Sequence, residues 1–358
     1  MGIQTHVFAW KAGDVGETAA DCFYPISIIE KEQILEECKK IGIDGVCSIA
    51  SDLANITVNY IAEKMGLIGN EIQNTVLATD KHAMRESFFK NGDPSPLSIE
   101  VTSKEQLSDL NISYPAIFKP VDRSGSRGIT KVMDPSELLH AYEHAKEQSF
   151  SGRVLVEEFV DGNEYSVECI SWQGKHTMLA VTKKYTTGNP DYIEKAHLEP
   201  AFDLAVDKER IQEVVYHALD SLKIKYGASH TEIKIDSKQR VRIIEIGARM
   251  GGDLIGSSLV RLSTGVDFVR LVIETALGKK PEIVFGEKQN AGIRYIFNQD
   301  DYQAYLAIKD KYPEIIVEDS NVSMPDSAVT DSSTRKGYFL VCSKDLDKVI
   351  SAMPKLLV

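Results

Sequence analysis

Two spacings of apolar residues divide this chain. Behind Asp207, Ile211, Val214, Val215, Ala218, Leu219 and Leu222 recur every three or four positions, which predicts a helix over 208–223 with that stripe in a core. The same period runs through 31–40 (Ile34, Leu35 and Cys38, stopped by Gly42), 52–64 (capped by Asp52, stopped by Gly66) and 81–91 (capped by Asp80, stopped by Gly92). Further helices are predicted from Asp134-Pro135 to about Gln148, over 254–262 and 267–277, near 302–311 and from Leu346. Runs rich in β-prone residues predict strands at 4–10, 22–28, 45–50, 114–119, 128–132, 154–160, 165–172, 176–184, 230–235, 241–246, 291–297, 315–318 and 338–343. Residues 185–200 read as a long irregular loop. In residues 1–77 strands and helices alternate, which implies a parallel sheet covered by helices. That unit is short for a complete doubly wound domain, and no glycine-rich turn follows a first strand. Hairpins dominate afterwards, so the fold class expected is α/β and α+β.

Length and composition narrow the setting. A chain of 358 residues suggests two or three domains. Its 43% hydrophobic and 26% charged residues are those of a soluble globular protein. A formal net charge of −12 argues against nucleic acid or an anionic membrane as partner. The cysteines at 22, 38, 47, 169 and 342 are odd in number and scattered. They suit a reducing cytoplasm better than a disulfide framework or a zinc site. No apolar run approaches a membrane span, and the first residues do not read as a signal peptide.

Chemistry concentrates in the hairpin His230–Ile235 and Val241–Ile246, joined by the polar turn 236–239. A turn centred near Ser237–Lys238 sets Glu232 opposite Ile243, with Glu245 its diagonal neighbour on the same face. Two carboxylates so placed repel, so one stays protonated or both share a cation. Hard oxygen ligands suit Mg²⁺ completed by phosphate oxygens; the alternative is a surface hairpin with two solvated glutamates. Gly247, Arg249, Gly251 and Gly252 follow directly and bring backbone amides and a guanidinium beside the proposed ion. Upstream, Pro120–Gly128 is a loop of small residues with two arginines that can fold its amides over phosphates, although no Walker motif occurs. Lys81, in a helix's first turn, can reach a phosphate. Along 157–160 a purine ring can bond to the main chain while Glu164 takes a ribose hydroxyl. His197 in its loop reads as readily as a surface group as a catalyst.

Taken in order, Asp80-Lys81, Phe118-Lys119-Pro120 with Ser124-Gly-Ser-Arg-Gly128, Val156-Glu-Glu-Phe-Val160 with Gly162-Asn-Glu164, and Glu232 with Glu245-Ile-Gly-Ala-Arg249 resemble the ATP-grasp superfamily. The likeness is to its carboxylate–amine ligase branch, near biotin carboxylase and carbamoyl-phosphate synthase. It covers about Asp80 to Gly256. The resemblance implies an ATP-grasp fold with a truncated Rossmann-like domain over 1–77, lacking its first βα unit. An ATP-grasp domain would span 78–285, with a nucleotide lid at about 112–158, and an α+β part at 286–358 would complete the module. Lys81 and Lys119 would bind ATP phosphates beneath a flap of Ser124, Gly125, Ser126, Arg127 and Gly128. Glu157, Glu158, Phe159 and Val160 would meet the adenine and Glu164 the ribose. Glu232 and Glu245 would hold Mg²⁺, or Mn²⁺ in its place. Arg249 would orient the substrate carboxylate or stabilise its phosphorylated form. The segment from Val181 through Pro200 is similar to amino acid ligases, which would put His197 at the acceptor site, so Arg249, Lys119 and His197 form the expected catalytic set. The activity implied is ATP-dependent activation of a carboxylate as an acyl phosphate for attack by an amine, with a homodimer suggested by analogy. Carbamoyl-phosphate-synthase-like phosphorylation of carboxyphosphate or carbamate and a nucleotide-binding subunit without turnover are the alternatives. Gly247 departs from the pattern, which usually has Asn there, and Met250–Asp253 departs from the biotin carboxylase run.

Overall fold

The computed structural model describes residues 1–123, 125, 127–320 and 322–353. Its N-terminal unit holds two short parallel strands, β1 (His6–Phe8) and β2 (Cys22–Tyr24). Helices Lys31–Ile41 and Asp52–Met65 pack beside them through Ile34, Leu35, Cys38 and Ile61. The cap of the second helix is Ser51, whose hydroxyl accepts from Ala54 N at 3.2 Å, rather than Asp52. Asp52 is thereby released to act elsewhere. The strand expected over 45–50 does not form. There Gly45 lies against the Phe268–Ala276 helix, where an added Cβ would sit 2.6 Å from Ala276 O, and Ile49 O accepts from Met250 N at 2.9 Å. The close approach to that helix and the bond from Met250 replace the pairing with a neighbouring strand.

β3 (Ser98–Val101), β4 (Ala116–Pro120), β5 (Thr130–Val132) and β6 (Val154–Glu158) form a four-stranded antiparallel sheet in the order β3-β6-β4-β5. Its apolar face, with Phe118, Val132 and Val156, closes on Ala141, Tyr142 and Ala145 of the Leu138–Gln148 helix. The alternation Ala116/Phe118 in and Lys119 out turns a lysine away from that core. The result is a small lid with charge on its inner side.

Eight antiparallel strands make the main sheet: β7 (Asn163–Trp172), β8 (Lys175–Thr186), β9 (Glu194–Glu199), β10 (Gly227–Ile235), β11 (Val241–Gly247), β12 (Asn290–Tyr295), β13 (Ile316–Asp319) and β14 (Tyr338–Ser343). Their order is β11-β10-β7-β8-β9-β12-β14-β13, so the sheet runs without a break across residue 285. One face buries the predicted stripe of the Lys208–Ser221 helix with Met84 and Phe88 of the Lys81–Asn91 helix. The other packs Ile170 and Ala180 against Phe268, Leu271 and Val272.

Half of the expected loop over 185–200 is strand. β8 runs on to Thr186, and β9 pairs with both β8 and β12. Ala196 and Leu198 point into the C-terminal core while His197 and Glu199 are buried on the opposite face. Two buried polar residues hid the period of two.

Candidate active site

The β10/β11 hairpin brings Glu232 and Glu245 together more closely than the sequence suggested. A bulge after Glu232 shifts the register, so Glu232 pairs directly with Glu245 while Ile233 pairs with Ile243. The two carboxylates are therefore directly opposed rather than diagonal. Each meets a lysine, which offsets the repulsion between them. Lys81 Nζ lies 2.6 Å from Glu245 Oε1, and Lys184 Nζ donates to Glu232 Oε1. Burial works to raise the Glu232 carboxyl, yet Lys184 and His230 outweigh it and hold it well below its usual range. Lys184, itself buried, also lies 3.3 Å from Glu164 and 3.7 Å from Glu194. Burial pulls its ammonium down, but Glu232, Glu164 and Glu194 carry it well above its ordinary value.

Lys81 is not a solvated helix lysine. Its backbone N donates to Val121 O at 3.0 Å and its Nζ to Arg123 O at 2.7 Å, which ties the helix start to the lid. Asp80 caps that helix through Ala83 N and holds Arg153 at the start of β6. Lys119 reaches Glu157 Oε2 at 2.6 Å, and Arg85 Nε reaches Glu157 Oε1 at 2.6 Å, all three buried. Burial lowers the Lys119 ammonium, with Glu157 the chief opposing influence. Glu157 thus sits between Lys119 and Arg85. Glu158 pairs with Arg242, and its backbone N and that of Phe159 are taken by Leu97 O and Pro115 O. Phe159 lies beneath Lys131, 3.8 Å from its ring centre. In the flap, Gly125, Arg127 and Gly128 are described, and Ser124 and Ser126 lie outside the described residues.

A cavity of about 180 Å³ is lined by Lys81, Lys119, Gly125, Arg127, Glu157–Val160, Glu164, Glu232, Glu245 and Arg249. Gly128 is not on its wall. A second cavity of about 530 Å³ shares Lys81, Lys184, Glu232, Glu245 and Arg249 with the first and adds Asp52, His197 and Asp253. Arg249 stands between the two spaces, gripped by Asp52 from the N-terminal unit (Nε–Oδ1 2.9 Å, Nη2–Oδ2 3.1 Å). His197 is fully buried, neither ring nitrogen has a hydrogen-bond partner among the described residues, and Nε2 is 3.6 Å from Asp253 Oδ2, beyond bonding reach. Asp253 is held bidentately by Arg335, whose guanidinium stacks 3.6 Å above the Tyr295 ring.

Several of these residues escape sequence reasoning. Lys184, Asp52, His230, Asp253 and Arg335 reach the site from 48 to 197 positions away in the chain, measured to their partners, and no local spacing marks them. His230 comes from the hairpin itself and bonds Glu168, which also accepts from Gly251 N at 2.9 Å. Burial alone would lower its imidazole, but Glu168 pushes it up to about 9.

Residues 112–257 match the family model of an ATP-grasp domain, a span holding the lid, the acid pair and Arg249. That stretch is similar to an ATP-grasp domain. The chain is 25% identical over 323 residues, 83% of its own length, to alanine–anticapsin ligase of Bacillus subtilis strain 168. It spans 65% of that relative's length, just under two thirds. Its fold matches the crystal structure of an L-amino acid ligase from Bacillus licheniformis with a TM-score of 0.80 at 23% identity, covering 99% of this chain and 91% of the other. It also matches the biotin carboxylase domain of Hydrogenobacter thermophilus 2-oxoglutarate carboxylase, solved with MgADP and bicarbonate, with a TM-score of 0.72 at 18% identity over 99% and 84% of the two chains. The expected fold class is borne out. Among the described residues no helix is long and apolar enough to cross a membrane.

Proposed function

We propose that this chain is an ATP- and Mg²⁺-dependent ligase that joins a small-molecule carboxylate to an amine. The observation that carries this reading is the directly opposed pair Glu232 and Glu245, ringed by Lys81, Lys184 and Arg249 at the meeting of two cavities. A carboxylate resists an amine because its leaving group would be an oxide, so it must first be activated. Attack of a carboxylate oxygen on the γ-phosphorus of ATP breaks the bond to the β-γ bridging oxygen and releases ADP. The amine then attacks the acyl carbon, phosphate leaves, and the amine nitrogen gives up a proton. The anionic charge gathered at that point calls for fixed cations in a site closed to water.

Lys81 and Lys119 would hold the phosphates, with the flap through Gly125, Arg127 and Gly128 closing over them. Glu157–Val160 would face the adenine and Glu164 the ribose. Because Glu158 N and Phe159 N already have acceptors, the ring would find its amide at Val160. The opposed carboxylates of Glu232 and Glu245 offer a hard divalent ion two oxygen ligands, and among the described residues no cluster of three or more His, Cys, Asp or Glu could hold a metal unaided. Two carboxylates completed by phosphate oxygens and water is an ordinary shell for Mg²⁺, and Mn²⁺ would be tolerated. Bound there, the ion would draw charge from the transferring phosphoryl group. Arg249 would face the acid and His197 the amine, each from the wall of the larger cavity.

The test is phosphate release from MgATP in the presence of a panel of amino acids, with the product identified by mass spectrometry. Release that requires both an acid and an amine, with an amide formed in equal amount, supports the reading. Tight MgADP binding with no release under any pairing overturns it.

A further inference from the structure

Arg249 has five N–H donors. Asp52 takes two of them, and Met250 O takes one from Nη1 at 3.0 Å. The fork to Asp52 is the parallel bidentate kind that fixes a guanidinium's plane as well as its position. Burial opposes the charge on Arg249, and Asp52 is the first influence that sustains it. Both partners belong to the wall of the larger cavity, yet they come from different parts of the chain. Asp52 stands in the first turn of the Asp52–Met65 helix, freed because Ser51 does the capping.

Gly247 makes the fork possible. A Cβ built on it would lie 2.9 Å from Arg249 Nε, 3.0 Å from Arg249 Cζ and 3.0 Å from Asp52 Oδ1. The guanidinium and the carboxylate thus fold over the bare α-carbon of a buried strand end. The three nearest atoms are all side-chain ends of this one ion pair, so a methyl group there would displace the fork without forcing the backbone.

We propose that Asp52 and Gly247 form a positioning pair that sets Arg249 toward the carboxylic acid substrate. The N-terminal unit thereby contributes a residue to the active site without touching the reacting atoms. The inference rests on the ligase reading for what Arg249 is aimed at, but the fork can be tested without turnover.

The experiment uses the full chain and three variants, Asp52→Asn, Gly247→Ala and the double variant. Modification of Arg249 by phenylglyoxal is followed by peptide mass spectrometry, and the folded state is checked by MgADP binding, expected within about three-fold of the parent. Each single variant is expected to raise the labelling rate of Arg249 at least five-fold, and the double variant no further. With a substrate pair in hand, each is expected to raise KM for the acid ten-fold or more while KM for MgATP moves less than three-fold. The double variant should again match the worse single, since the two substitutions break one interaction. Labelling unchanged in both single variants, or losses that multiply in the double variant, overturns the positioning pair. Absence of acid-dependent ADP formation in the parent chain overturns the ligase reading instead, and the labelling still decides the fork.

Discussion

Replacing Glu157 with glutamine tests the charge arrangement beneath the nucleotide cavity. Glu157 sits between Arg85 and Lys119, 2.6 Å from each, and the side chains of all three are 2 to 6% exposed. Burial is the largest influence on the Glu157 carboxyl and raises it, but Arg85 and Lys119 together hold it below its ordinary value. Glu157→Gln keeps the shape and removes the one negative charge, leaving two buried cations side by side. Breaking a buried pair by deleting one partner costs about 3–5 kcal/mol. With a urea dependence near 3 kcal/mol per molar, the unfolding midpoint should fall by about 1 M or more. The second consequence is at the site. Lys119 is already lowered by burial, with Glu157 the main group opposing that, so without Glu157 its ammonium gives up its proton more readily. A charge-assisted contact is worth about 1.5–3 kcal/mol, so MgATP should bind about ten- to a hundred-fold more weakly. The deficit should be smaller at pH 6 than at pH 8.5, because acid restores the proton to Lys119. Urea titration and calorimetric MgATP titration at both pH values supply the numbers. A midpoint shift under 0.3 M (about 1 kcal/mol) with affinity kept within two-fold would show that the triad is neither a stability element nor a support for Lys119.

Two other substitutions probe buried charge away from that triad. Glu199 accepts from Thr182 Oγ1 at 2.5 Å and Ser263 Oγ at 2.6 Å, and burial pushes its carboxyl up to about 7. A raised acid keeps its proton longer when folded, so stability drains as pH climbs from the unfolded value near 4.5 to about 7, a loss of about 3 kcal/mol. Glu199→Gln should leave stability at pH 4.5 nearly unchanged and gain about that much at pH 8; parallel pH profiles in parent and variant would refute the assignment. Lys184→Met strands Glu164, Glu194 and Glu232 without their shared ammonium, costing about 3–5 kcal/mol in metal-free buffer. Millimolar MgCl₂ should raise the melting temperature of the variant more than that of the parent, and a variant insensitive to MgCl₂ in thermal melts would argue that the acid pair does not take a divalent ion.

Much of the architecture is legible because it rests on local signals. Asp80 and Gly92 bracket a helix through a side-chain cap and a left-handed stop, and the stripe from Ile211 to Leu222 lies in the core as its spacing predicts. The ordered motifs that resemble ATP-grasp proteins are equally local, each a strand or strand-turn that carries its charge at a fixed offset. What escaped them depends on tertiary pairing. One bulged residue turned a diagonal acid pair into an opposed one, and no residue type announces a bulge between Glu232 and Ile233. The strand through His197 was missed because its inner face holds histidine and glutamate where a buried strand usually shows apolar residues. The pairing of the Glu157 carboxylate with Lys119 and Arg85 likewise has no local mark in the sequence. Asp52 looks like a cap in sequence, yet Ser51 fills that role and the aspartate reaches Arg249 instead.

The ion pairs of the site also suggest how ligands would enter it. Four cations facing the cavities are each matched by an acid: Lys81 by Glu245, Lys184 by Glu232, Lys119 by Glu157 and Arg249 by Asp52. The first two acids are the proposed ligands of the divalent ion, whereas the last two lie outside that role. A divalent ion arriving with the triphosphate would take over Glu232 and Glu245 and release Lys81 and Lys184 toward phosphate oxygens, an exchange of pairs rather than a fresh burial of charge. Lys119 and Arg249 would keep their carboxylates and so keep their aim. Fixed dipoles and charges stabilise a transition state most when they need not reorganise during the reaction. On that argument the division of labour is physical: the pairs that must move sit on the hairpin with the ion, and the pairs that must stay still reach in from the lid and the N-terminal unit.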